Sequence, residues 1–123
     1  MARFMFHVAY TNESWATQVR VQDDVIERVE PLIAACNGTL EALYYAFGEA
    51  DVVAIGDFKK PEDAAAFSIA VSAGGAVKSI KTTALMTVEQ GMAAMKRAAG
   101  AAATYRAPTS ITLPDAQKAP ARR

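Results

Sequence analysis

The stretch Arg3 to Thr11, RFMFHVAYT, is apolar on both sides of an extended chain. Successive side chains of a strand point to opposite faces. Phe4, Phe6, Val8 and Tyr10 therefore share one face, and Met5, His7 and Ala9 the other. Two later runs repeat the pattern. In TLEALYYAF, Leu40, Ala42, Tyr44 and Ala46 oppose Leu43, Tyr45 and Phe47; in DVVAIGDF, Val53 and Ile55 oppose Val52, Ala54 and Phe58. An antiparallel sheet with one face in water alternates apolar with polar residues, and these runs do not. One face must take the chain's own helices, and the other needs a second protein surface, most economically that of an identical chain. A homo-oligomer, at least a dimer, is expected.

Between the first two strands, Trp15, Val19, Val25, Ile26, Val29, Leu32 and Ile33 recur at helical spacings, and the stripe stops at Asn37 and Gly38. Pro31 removes a helical donor and disfavours helical geometry at Glu30, which predicts a kink or two joined pieces, the second starting at Gln22 or Asp23. Gly48, Glu49 and Ala50 have the length of a turn, with Gly to relieve the backbone, so the flanking strands should pair antiparallel. Pro61 suits the first position of a second helix, Glu62 and Asp63 suit its positive end, and Gly74 with Gly75 ends it. AVKSIKTTALM supplies a fourth strand, and Thr87 with Gln90 forms a capping box that opens a third helix.

The order βαββαβ predicts an α+β, ferredoxin-like sandwich: a four-stranded antiparallel sheet with strands one and three central, plus a C-terminal helix and an extended tail. The 123 residues fit one domain, read as 1–98. Residues 99–123 read as an arm packed on another subunit through Ile111 and Leu113.

Composition narrows the partners. Thirteen basic and thirteen acidic residues cancel, so no strong field recruits nucleic acid or a membrane surface. A small apolar or aromatic ligand is the expected partner besides a second copy. One cysteine and one histidine cannot build a four-ligand metal site, and no metal or cofactor is expected. SAGGAVKSIKTT lacks the Gly-Lys-Ser/Thr order of a phosphate loop and follows a helix instead of preceding one. The lone Cys36 and the absence of a cleavable leader or a membrane span make the cytoplasm the expected compartment.

His7, mid-strand among apolar neighbours, is either a satisfied interior or interface histidine, a base or ligand contact, or, least favoured, a metal or haem ligand. It is the best candidate for a catalytic or binding role. Tyr44 and Tyr45 point to opposite faces, so at most one of them lines a given cavity. Asp51 reads as a turn cap ahead of an acid or base. Lys78 and Lys81 read as charges guarding a sheet edge, or as contacts for a ligand carboxylate. Met86, Met92 and Met95 read as core or subunit packing, Trp15 as a cap on the core, and Cys36 as a structural thiol ahead of a nucleophile.

The blocks FMFHVAYT, VEPLIAACNGTLEALYYAFGEADVVAI and SIAVSAGGAVKSIKTTALMTVEQGMAAMKRA resemble the GYD domain family, small bacterial proteins similar to the dimeric α+β barrel superfamily. The resemblance spans residues 4 to 98. Its naming motif runs Gly, any residue, Tyr, Asp; here Gly48, Glu49 and Asp51 keep it and Ala50 replaces the tyrosine. The resemblance implies a fold more firmly than an activity. Relatives by fold include cofactor-free oxygenases and isomerases, which implies a small-molecule binder or enzyme whose polar groups are His7, one tyrosine and Asp51. The other reading is a non-catalytic oligomeric interaction module. An enclosed pocket with His7 on its wall favours the first reading.

Overall fold

The computed structural model describes residues 2–109. The elements follow as β1 (Ala2–Tyr10), α1 (Asn12–Val21), α2 (Val25–Ala35), β2 (Gly38–Tyr45), β3 (Val52–Phe58), α3 (Pro61–Ala73), β4 (Val77–Leu85) and α4 (Val88–Ala101), with a 3-10 turn at Ala102–Thr104. All strand pairs are antiparallel, and the sheet order is β2-β3-β1-β4. This is the ferredoxin-like α+β arrangement, with β1 and β3 central. One unit of the chain ends at Met86, and Thr87 opens a second. The expected arm contacts of Ile111 and Leu113 lie outside the described residues.

In the first unit, Phe4 and Phe6 of β1, Ala54 and Phe58 of β3, Ile33 of α2, and Ala64 and Phe67 of α3 form one buried cluster. Its rings meet edge on: Phe6 lies 5.7 Å from Phe58 and 4.8 Å from Phe67 between centroids. Such pairs contribute roughly 0.5–1.5 kcal/mol beyond the area they bury. A second cluster, Val8, Tyr10 and Val52, continues the core, with Trp15 and Val77 packed against it. α2 covers β2 and α3 covers β4, both on this face. The opposite face, carrying Met5, His7, Val53 and Ile55, is left open by the helices of this unit.

The first crossover is two helical pieces, as expected, with the second starting at Val25, just after Gln22 and Asp23, but Pro31 does not make the break. Thr11 Oγ1 accepts from Ser14 N at 3.0 Å and starts α1; Gln22, left-handed at φ 58°, ends it; Asp24 Oδ1 then accepts from Ile26 N at 2.8 Å and starts α2. Local side-chain caps made the break, while Pro31 sits inside α2. The turn at 22–24 interrupts the stripe, and Val19 and Ile26 are exposed.

The parity read for β2 fails at one place. Leu40 pairs with Gly56 and Ala42 with Ile55, so Glu41 and Ala42 together face one residue of β3. This β-bulge reverses the alternation: Leu40 and Leu43 both pack on the core, and Ala42 and Tyr44 fall on the open face. In the turn to β3 it is Phe47, not Gly48, that takes the left-handed conformation, at φ 53°. No helix among the described residues is long and apolar enough to cross a membrane.

In the second unit, Thr87 and Gln90 form the expected capping box: Gln90 N donates to Thr87 Oγ1 at 3.0 Å and Thr87 N to Gln90 Oε1 at 2.9 Å. Val88, Met92 and Met95 lie three or four residues apart along α4 and are all exposed, so Met92 and Met95 are not core residues of this chain.

Candidate functional site on the open face

Strand register places chemistry in rows across the open face. Tyr44 pairs with Val53, Val53 with His7, and His7 with Lys81. The next row runs Ala42, Ile55, Met5, Thr83. The sheet therefore brings His7 beside Lys81 by direct cross-strand pairing and keeps Tyr44 two strands away.

Beside His7 the surface forms a concavity of about 490 Å³ that is half open to solvent, not the enclosed pocket expected of a ligand site. Its floor is His7 and Ala9 of β1 with Ser79, Lys81 and Thr83 of β4. Glu49 and Ala50, from the loop between β2 and β3, form the side. The three β4 residues share a face because they are two apart. Among the described residues, no hydrogen bond or ion pair engages the side chains of His7, Ser79, Lys81 or Thr83. No buried polar side-chain atom is left unpaired there either. The His7 side chain, half-buried in its strand, lines the concavity.

Asp51 is held elsewhere. Its Oδ2 accepts from Tyr10 N at 2.8 Å and from Trp15 Nε1 at 3.2 Å, and its own N–H donates to Val8 O at 2.7 Å. The carboxylate ties the end of β1 and the first turn of α1 to the β2–β3 loop. It also fixes where Glu49 and Ala50 stand. Tyr45, on the helix side of the sheet, stacks on Phe47 with centroids 5.7 Å apart, and Trp15 completes the aromatic group. Lys78 lies at the irregularity where the β1–β4 register shifts between Ala9 and Tyr10, and it does not line the concavity. Of the residues singled out in the sequence, His7 and Lys81 meet; Tyr44, Tyr45, Asp51 and Lys78 do not join them. Cys36 closes α2 and packs against the core as a free thiol.

At the other end of the open face stands a charged group the sequence reading passed over. Arg3 meets Glu41 at 3.0 Å and Asp57 at 3.1 Å. The hydrogen bond to Asp57 holds Glu41 above the ordinary carboxylate value, and bonds to Glu41 and Arg3 hold Asp57 below it. Asp57 shares the parity of Val53 and Ile55 and could have been placed on this face. Glu41 could not, because the bulge at its own position sets its direction. Tyr10, under the helices, has its phenol pushed up by burial, against the lowering influence of Arg28, whose Nη2 donates to it at 3.3 Å.

No curated protein matches the chain. Among solved structures it is similar to FFRP-DM1, with a TM-score of 0.49 and 16% identity, covering 70% of this chain and 100% of that one. It is also similar to a hypothetical protein, PHS023, from Pyrococcus horikoshii, with a TM-score of 0.48 and 16% identity, covering 71% of this chain and 92% of that one. The model of the GYD domain matches residues 4–108, nearly all of the described sequence, and the chain therefore belongs to the GYD domain family.

Proposed function

We propose that this GYD domain protein is a homo-oligomeric small-molecule-binding protein whose ligand sits beside His7, with the open sheet face covered by a second copy. The observation that carries the reading is the concavity itself: an imidazole, an ammonium and two hydroxyls converge on it without partners among the described residues, on a face otherwise built from Met5, Val53 and Ile55. Ligand sites combine an apolar wall with a few convergent polar groups in this way. Covering the face supplies what a solvated sheet of this composition lacks. The exposed Val88, Met92 and Met95 of α4 add a second apolar surface in want of a neighbour.

Native mass spectrometry of the purified chain against a library of small apolar and aromatic molecules tests this. The expected result is an oligomer carrying a bound small molecule, with the adduct lost and the oligomer kept in His7→Phe. An oligomer that takes up no member of the library, or whose adducts are indifferent to His7→Phe, contradicts ligand binding at His7 and leaves the non-catalytic interaction module in its place.

A further inference from the structure

We infer that the concavity beside His7 selects a small molecule carrying a carboxylate, bound by Lys81 and the flanking hydroxyls of β4, with the body of the ligand over Ala9 and Ala50. This rests on the reading of that concavity as a ligand site and specifies what enters it.

The donor inventory of the floor sets the ligand's chemistry. Lys81 carries three donors and no acceptor. Ser79 and Thr83 stand one strand period to either side of it, on the same face, each with a rotatable hydroxyl that donates as readily as it accepts. His7 lies directly across the strand pair from Lys81 and adds ring nitrogens from the other side. An acceptor-only group with two oxygens satisfies such a floor, and a charge-assisted hydrogen bond to it is about twice as strong as a neutral one. On the floor itself a cationic group would meet the Lys81 ammonium and no carboxylate, since the acidic residue of the lining, Glu49, stands at the side.

Glu49, the one acidic residue of the lining, stands on the β2–β3 loop and makes no ion pair with Lys81. It sets negative charge at the side of the concavity, so the carboxylate is drawn to the β4 end. The remaining wall is small. Ala9 and Ala50 offer only methyl groups, and a concavity of about 490 Å³ holds a ring-sized body above them. The Asp51 hydrogen bonds to Tyr10 and Val8 hold the loop against β1, so the position of Ala50 is built into the fold.

The test titrates the full chain with benzoate, benzamide and benzylamine, three probes of one size that differ in charge, and follows the His7 ring resonances by NMR. Benzoate is expected to shift them saturably, with benzamide and benzylamine at least about tenfold weaker. Lys81→Met, an exposed position whose loss leaves the core intact, is expected to weaken benzoate about tenfold while Lys81→Arg retains most of the affinity. Ala50→Tyr, which fills the wall, is expected to weaken benzoate too. Benzamide or benzylamine binding as tightly as benzoate, or benzoate binding indifferent to Lys81→Met, overturns the carboxylate assignment while leaving His7 at a binding site. Silence of the His7 resonances with all three probes overturns both.

Discussion

Two single residues show how tightly the site's surroundings are specified. A Cβ at Gly38 would fall 2.5 Å from the Phe58 ring, which is fully buried at the centre of the core. Gly38→Ala is therefore expected to lower stability by about 1–3 kcal/mol, the usual cost of overpacking, seen as a lower urea midpoint with an unchanged slope. Asp51 is the second. Asp51→Ala leaves the Tyr10 N–H and the Trp15 indole without their acceptor, and a loss of about 1–3 kcal/mol is expected in the same measurement. An Asp51→Ala variant as stable as the parent would show that the carboxylate does not tie the loop to β1. That Asp51 accepts backbone N–H bonds was legible in the sequence, since an aspartate beside a turn does so readily. That the donor belongs to Tyr10, 41 residues earlier, was not. Such a pairing exists only once β1 and β3 are side by side.

Among the elements, features set by neighbours in sequence are legible in it, and features set by strand pairing are not. The capping box at Thr87, the helix opened by Pro61 and the parity of β1 and β3 follow from neighbours in sequence, and all are present. The bulge at Glu41 follows from how β2 fits against β3, and it moved Leu40 to the core and Glu41 to the open face beside Arg3. The break after Gln22 lies where the second helical piece was expected to start, at Gln22 or Asp23, but its cause is the left-handed Gln22 and the Asp24 cap and not Pro31, which is tolerated within α2. α4 carries the clearest expectation at this scale. A helix of 14 residues is marginal by itself in water, and Met92 and Met95 are 60% and 66% exposed along it. In the proposed oligomer that stripe lies against another copy, so Met92→Asp together with Met95→Asp should shift the assembly to smaller species in sedimentation velocity at micromolar concentration. An unchanged sedimentation coefficient would show that the stripe packs on nothing.

For the molecule as a whole, the two-sided apolar character of β1 and β3 is the feature that calls for a second protein surface. In the first unit, α1, α2 and α3 cover one face. The other keeps Met5, Val53 and Ile55 only half-buried and holds the His7 concavity among them. Ile55→Asp places a charge in the middle of that face without touching the core, and is expected to separate the subunits and lower thermal stability together, because each copy then loses its cover. A stable interface buries at least about 1,200 Å², so partial cover by a passing contact does not suffice. The most direct measurement is sedimentation equilibrium of the unmodified chain at micromolar concentration. A dimer or a larger multiple of the chain mass with no folded monomer in equilibrium is expected; a single species at the monomer mass, with native circular dichroism, would overturn the proposed oligomer.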